Sequence, residues 1–468
     1  MWSLAKATVD IPAKATVVIP AKDEEGGIAA IIDAVRSHAD EILVVDGHSR
    51  DATRAIAMCR ALLSERGEVS GARLATDLIA TYHALSSSAV ELFFDFLAEE
   101  FSPNPEAVGR AAEDYRREPT PANLVQLGAA VEPQRQELFR RFNMAPDGTS
   151  ALVDMRRRLL QTLPDHPNRA ALDADLLHLL RSWFNRGFIV LQRIDWRTSA
   201  LVLERLIQYE AVHEIQGWHD LRRRLEADRR CYAFFHPALP EEPLIFIEVA
   251  LTHGMSARVQ PLLDPESPVV DPAFVDCAIF YSITNCQEGL RGVSFGHFLI
   301  KQVAEDLGQE FPRVRTFATM SPIPGFRKWL LESPDAKALC RHGTDIDPVI
   351  RSLAACDGNE RAVPGELKTE LLSLCAYYLL NAKRGLAPLD AVARFHLANG
   401  ACLKRLNWMG DTSENGIRRS LGLTANYVYR LSDLEQNHEA YARDYRIAAS
   451  REIVQLARRW SPSARAHP

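Results

Sequence analysis

The chain has 468 residues, 47% of them hydrophobic and 25% charged, with a formal net charge of −6. That length suits two or three domains of ordinary soluble composition, and the acidic balance argues against a nucleic-acid footprint. No apolar run reaches the roughly 18 residues that a membrane-spanning helix requires, so neither nucleic acid nor membrane is an expected partner.

In chain order, Ala5–Pro12 (AKATVDIP) is repeated almost unchanged at Ala13–Pro20 (AKATVVIP). The strand-like VVIP, an apolar stripe over Ile28–Val35 and the strand-like EILVVD then make a βαβ pattern. This opening resembles a family 2 glycosyltransferase, whose first strands bind the nucleotide part of a sugar donor. The resemblance stops near Thr53 and no acceptor half follows. Two parallel strands bury too little to fold by themselves, so residues 1–57 are expected to be a fused remnant without transferase activity.

From Arg60 to about Phe184 the pattern is helical. Ser88-x-x-Glu91 reads as a capping box. Val90, Phe93, Phe94, Leu97 and Phe101 stripe a helix that Ser102-Pro103-Asn104-Pro105 ends. Leu172, Leu176, Leu179, Leu180 and Trp183 stripe another, closing near Gly187. Its charged residues read as solvated faces, and none looks catalytic.

After Gly187 the period changes. Phe188–Trp196 is strand-like and a helix follows at about Ser199–Tyr209. Cys231–Phe235 and Leu244–Thr252 form an antiparallel hairpin around the turn-rich HPALPEEP. Ala278–Thr284 is a further buried strand. Beyond it, Phe295, Phe298, Leu299, Val303 and Leu307 recur at helical spacing with Lys301, Glu305, Asp306 and Glu310 opposite. Phe311-Pro312 stops that helix, and Val314–Met320 is a strand that delivers Ser321 at its end. A strand, helix and strand in this order make a right-handed parallel unit. Gly292 and Gly296 at the helix start let the backbone approach a ligand, and a helix N-terminus favours an anion, so a phosphate-bearing ligand fits there.

The string Arg291-Gly292-Val293-Ser294-Phe295-Gly296 resembles the pyrophosphate-binding loop of the GNAT acyltransferase fold, with Ser294 standing where that pattern has glycine. Taken with GLRGVSFGHFLIKQV, SPIPGFRKWL and FHLANGACLKRLNWMGD, the chain from about Cys59 to near its end resembles the malonyl-CoA decarboxylase family. The resemblance implies an α+β multidomain fold: an all-helical assembly domain over 58–186, forming dimers or tetramers, then a GNAT-like mixed α/β catalytic domain over 187–468. It also implies that Arg291, Gly292, Val293, Ser294, Phe295, Gly296 and His297 bind the coenzyme A part of malonyl-CoA, between strands splayed to admit the pantetheine arm.

The chemistry asks for few groups. The malonyl carboxylate lies β to a thioester carbonyl, so CO2 can leave its electrons in a thioester enolate without a cofactor or metal. The protein must steady the enolate oxygen and return a proton to Cα. By the resemblance, Ser321, held before two prolines and Gly325, is a hydrogen-bonding partner and proton acceptor, and His396 is the proton donor to the nascent acetyl group. Histidine suits that task because its ordinary pKa lies near neutrality. On the residues alone, Ser321 reads as turn chemistry and His396 as a core histidine.

The lesser candidates stay open between two readings. His297 either meets phosphate or caps the helix, and Arg291 reads more as a phosphate contact than as a surface charge. Asn407, Trp408, Asp411, Asn426 and Tyr429 either buttress His396 or form a packed C-terminal core. Lys404 and Arg405 either neutralise phosphates or are solvated, and the apolar run Leu371–Leu380 is expected to be a helical cover over the site. Eight cysteines without a Cys-x-x-Cys pair, and no signal-peptide layout at the N-terminus, fit reduced thiols and a cytoplasmic location. The rival functions are an acyl-CoA-dependent N-acyltransferase, a non-catalytic acyl-CoA sensor and, last, a glycosyltransferase.

Overall fold

The computed structural model describes residues 16–47, 49, 51–64, 67–293, 295, 299–336 and 365–460. Its chain divides into two units. One holds the chain through Asn185 together with Gln287–Val293, and the other holds Arg186–Cys286 and the chain after Val293.

In the first unit, β1 (Thr16–Ala21) and β2 (Glu41–Asp46) pair in parallel around the helix Ile28–Val35. The first copy of the repeat, Ala5–Pro12, lies outside the described residues. Eight helices follow, from Thr53–Ser64 to Ala170–Trp183. The stripe of Val90, Phe93, Phe94 and Leu97 is buried on the helix Ser87–Glu99, and Leu172, Leu176, Leu179 and Leu180 are buried on Ala170–Trp183. The capping box is not at Ser88. Ser86 has the extended backbone of a cap and accepts from the Ala89 N–H at 3.2 Å. Glu91 is taken by the fully buried Arg169, whose charge has a stronger claim on it than a backbone N–H.

The β1–β2 segment shares one apolar core with these helices. Ile19, Ile28 and Ile32 are buried among Ala55, Ile56, Cys59 and Leu62, and the helix Thr53–Ser64 runs unbroken past residue 57. Burying three isoleucines stabilises by about 1.5–3 kcal/mol each, so on the order of 5–9 kcal/mol rests on this contact. That is as large as the whole stability of many domains. A shortened chain beginning at Ala52 is therefore expected to lose the cooperative urea unfolding transition of the helical unit. An unchanged midpoint would show the segment to be dispensable.

The second unit is built on an eight-stranded mixed sheet, so the fold as a whole is α+β. Its order is β11 (Cys402–Asn407), β12 (Thr424–Val428), β7 (Thr316–Thr319), β6 (Cys277–Asn285), β5 (Ile245–Thr252), β4 (Arg229–Phe235) and β3 (Val190–Ile194), with β8 (Ser321–Pro322) paired to β12. β9 (Lys383–Arg384) and β10 (Ala387–Pro388) form a separate short antiparallel pair. Only β6 and β7 run parallel, joined through the helix Leu299–Glu310, whose Leu299, Ile300, Val303, Ala304 and Leu307 are buried. The hairpin and the strand–helix–strand unit stand where the residue pattern puts them. Parallel pairing runs from Cys277 opposite Thr316 to Phe280 opposite Thr319, and its last bond is from the Met320 N–H to the Phe280 carbonyl at 2.9 Å. β6 then continues beside β5 to Asn285, while Ser321 and Pro322 turn away to pair with Ala425 and Thr424. A gap opens where the two strands part.

Candidate active site

A cavity of about 240 Å³ occupies that gap. Tyr281, Ile283 and Asn285 line one arm, and Met320, Ser321 and Pro322 line the other. Ala391, Val392, Phe395 and His396 of the helix Ala391–Ala398 close it, together with Val212. The lining is mostly apolar with few polar groups, the usual character of a small-molecule site.

Ser321 and His396 meet in this cavity. Ser321 Oγ lies 2.8 Å from His396 Nε2, and both residues are buried. The Ser321 hydroxyl donates to Thr319 Oγ1 at 2.7 Å, and the Tyr427 N–H donates to the same oxygen at 3.1 Å. With its proton directed at Thr319, Ser321 Oγ is left to accept from Nε2–H. His396 Nδ1 lies 2.7 Å from the Tyr429 hydroxyl. Burial pushes the Tyr429 phenol well above its ordinary pKa, so it keeps its proton and donates it to Nδ1. The imidazole is neutral, with its Nε2 proton donated to Ser321 Oγ at the cavity wall. Tyr427 stacks on it, with ring centroids 4.6 Å apart.

Burial pulls the His396 pKa from its ordinary 6.5 down to about 3. The unfolded chain binds this proton near pH 6.5 and the folded one only near 3. The stabilisation is thus fully present above 6.5 and is lost as pH falls toward 3. His213, pulled down to about 4 by burial, adds a second proton of the same sign. Between pH 6 and 4, His396→Asn is expected to flatten the fall in urea-unfolding free energy by up to about 1.4 kcal/mol per pH unit. Equal slopes for parent and variant would contradict the neutral, enclosed imidazole.

Of the residues expected to buttress His396, Tyr429 contacts it directly. Asn426 donates to the Thr319 carbonyl at 2.5 Å, and Asn407 donates to Asn426 Oδ1 at 2.9 Å, so both brace the end of β7, two residues before Ser321. Asp411 holds its own loop instead, accepting from Gln260 Nε2 and the Ser413 N–H. Arg405 is half-buried. Its guanidinium donates to Asn426 Oδ1 and to the Met255 and Ser256 carbonyls, acceptors that a strand neighbour brings within reach. The helix Gly365–Asn381, expected as a cover, contributes none of the residues that line the cavity. Its Tyr378 packs on Phe326 and Trp329. Thr319, Tyr427 and Asp390 were not marked in the sequence, where a threonine and a tyrosine inside strands read as filler.

Of the expected ligand loop, Ser294, Gly296 and His297 lie outside the described residues. Arg291 is exposed, Val293 and Phe295 are buried, and Gly292 has φ +85°, a conformation that favours glycine. Gln287–Val293 belongs to the helical unit. The buried Arg156 donates to the Gly289 and Arg291 carbonyls at 2.6 and 2.8 Å and pairs with Asp173 at 2.8 Å. Arg181 donates to the Gly292 carbonyl at 3.2 Å.

Known proteins resemble the chain over most of its length. The family described as malonyl-CoA decarboxylase C-terminal domain matches residues 187–466, and the corresponding N-terminal domain matches residues 101–184. Glycosyl transferase family 2 matches residues 16–69. The mitochondrial malonyl-CoA decarboxylase of Anser anser anser is 37% identical over 360 residues, 72% of this chain and 71% of that protein. Its counterpart in Rattus norvegicus is 34% identical over 364 residues, 72% of this chain and 74% of that protein. Among solved structures, the malonyl-CoA decarboxylase of Rhodopseudomonas palustris superposes with a TM-score of 0.79 at 47% identity, covering 86% of this chain and 99% of that one. The Agrobacterium vitis structure gives 0.79 at 43%, covering 86% and 100%.

Proposed function

The chain belongs to the malonyl-CoA decarboxylase family, and from that membership we propose that Ser321 and His396 are the groups with which it converts malonyl-CoA to acetyl-CoA and CO2. The observation that carries this reading is their hydrogen bond inside the cavity between the parting strands. The mostly apolar lining solvates a carboxylate poorly, which favours its loss as neutral CO2. The bond between Cα and the carboxyl carbon breaks and its electron pair passes into the thioester as an enolate. With substrate bound, the Ser321 hydroxyl turns its proton from Thr319 Oγ1 and donates it in a hydrogen bond to the departing carboxylate or the enolate oxygen. The negative charge now beside His396 raises the imidazole's affinity for a proton. One proton taken up from solvent passes from Nε2 to Cα, and the imidazole returns to its neutral form.

Arg291, Gly292, Val293, Ser294, Phe295, Gly296 and His297 are proposed to hold the coenzyme A phosphates. The positive φ of Gly292 supports a backbone that can approach them closely. Residues 58–186 are proposed to assemble dimers or tetramers. In support, the helix Pro121–Val131 has no buried residue and exposes Leu124, Val125 and Val131; a solution mass of one chain would refute assembly. Among the described residues no helix is long and apolar enough to cross a membrane. A cytoplasmic location is proposed on the six described free cysteines, and cell fractionation checks it.

Turnover in D2O tests the chemistry. Acetyl-CoA carrying one deuterium is expected, together with a fall of about 100-fold in kcat for Ser321→Ala. Unlabelled product, or parental kcat in Ser321→Ala, would overturn the assignment.

A further inference from the structure

Two chain segments 75 residues apart must hold a 2.8 Å hydrogen bond between Ser321 and His396. Ser321 sits on a two-residue strand and His396 on an eight-residue helix. Neither element is long enough to fix its own position. Their common fixture is a carboxylate that does not line the cavity.

Asp390 is buried at the start of the His396 helix, where its Oδ1 accepts from the Ala393 N–H at 2.8 Å. The same carboxylate lies against Gly325, where a Cβ would stand 3.8 Å from its Oδ2; burial raises its pKa, and the nearby Gly325 and Val392 N–H groups oppose that rise. Gly325 ends the run Ser321-Pro322-Ile323-Pro324-Gly325, whose two prolines have fixed φ. Fixing Gly325 therefore limits where Ser321 can sit. Six residues of helix, about 9 Å at 1.5 Å each, separate Asp390 from His396. The Tyr378 hydroxyl lies 3.4 Å from Asp390 Oδ2 and occupies the place a Gly325 side chain would take, which closes the far side of the junction.

We propose that Asp390 is a positioning residue that clamps the Ser321 turn to the His396 helix and so sets the distance between the two catalytic groups. This rests on the catalytic reading of the pair given above. A plain helix cap would need only the Ala393 bond. The contact with Gly325, shared with the Tyr378 hydroxyl, adds nothing to the helix and joins it to the other catalytic segment. A displacement of about 1 Å in such a site costs on the order of 100-fold in rate.

Asp390→Ser separates the two roles. Serine is a good N-cap, but its shorter side chain cannot cap the Ala393 N–H and also reach Gly325 and the Tyr378 hydroxyl. The expected result is unchanged circular dichroism, a KM for malonyl-CoA within about threefold of the parent and a kcat lower by about 100-fold. In its crystal structure Ser321 Oγ and His396 Nε2 should stand more than about 3.5 Å apart, beyond hydrogen-bond reach. Asp390→Asn keeps an acceptor oxygen, and its kcat should recover to within about tenfold of the parent while remaining at least about threefold below it. Asp390→Ser with parental kcat and a parental Ser321–His396 distance would overturn the clamp. If Asp390→Ser does not fold, Asp390→Asn decides, because parental kcat there also overturns it. A parent chain that does not decarboxylate malonyl-CoA would refute the catalytic reading instead, and the two crystallographic distances would still decide the clamp.

Discussion

His396→Asn is expected to lower kcat on malonyl-CoA by about 10³- to 10⁴-fold, while KM changes by no more than a few-fold. A positioned proton donor is worth about 10²- to 10⁴-fold, and no other titratable side chain lines the described cavity within bonding distance of Ser321. Asparagine is small enough for the pocket and can accept the Tyr429 hydroxyl proton, so the fold has little reason to change. It has no proton to transfer at neutral pH, and the enolate would have to wait for water in a mostly apolar cavity. The measurement is steady-state kinetics of both proteins with circular dichroism as a control. A folded His396→Asn that retains a tenth of parental kcat would remove His396 from the proton transfer.

The second large effect is on stability. Arg156→Met is expected to destabilise the helical unit by about 3–5 kcal/mol, the usual result of breaking a buried ion pair by removing one partner. Arg156 is buried, and its loss leaves Asp173 unpaired and strips the Gly289 and Arg291 carbonyls of their donor. For a unit of this size that is a fall in Tm of roughly 10 °C. Arg156→Lys should recover only part, since an ammonium cannot reproduce the guanidinium fork. Because Gly289 and Arg291 lead directly into the proposed phosphate loop, KM for malonyl-CoA should rise in the folded fraction of both variants. Thermal unfolding followed by circular dichroism checks the first effect, and an unchanged Tm would contradict it.

These two residues mark what the sequence could and could not reveal. His396 and Ser321 stand in motifs long enough to carry a family resemblance, and the strands and helices around them follow from simple periodicity. Local signals of that kind survive into the fold. The role of Arg156 has no such signal, because its partners are backbone carbonyls more than 130 residues away and any residue has a carbonyl. Thr319 and Tyr427 were invisible for a related reason. The bond between them, from the Tyr427 N–H to Thr319 Oγ1, arises only when β7 and β12 lie side by side, and the Tyr427 ring meets His396 only when the His396 helix packs on β12. The bonds of Arg405 to the Met255 and Ser256 carbonyls were not legible, because a charge in a strand can serve solvent, a ligand or a neighbour's carbonyls, and pattern alone does not choose among them. The same limit applies to the opening segment. Its two strands and helix were legible, but the apolar face that joins Ile19, Ile28 and Ile32 to the helical core was not.

The most direct test of the account follows the fate of malonyl-CoA with the intact chain, quantifying acetyl-CoA, CO2 and free coenzyme A together. Acetyl-CoA and CO2 should form in equal amounts, with free coenzyme A absent even when amines are supplied. A folded protein that binds coenzyme A but forms no acetyl-CoA, or that releases free coenzyme A as an amine becomes acylated, would contradict it.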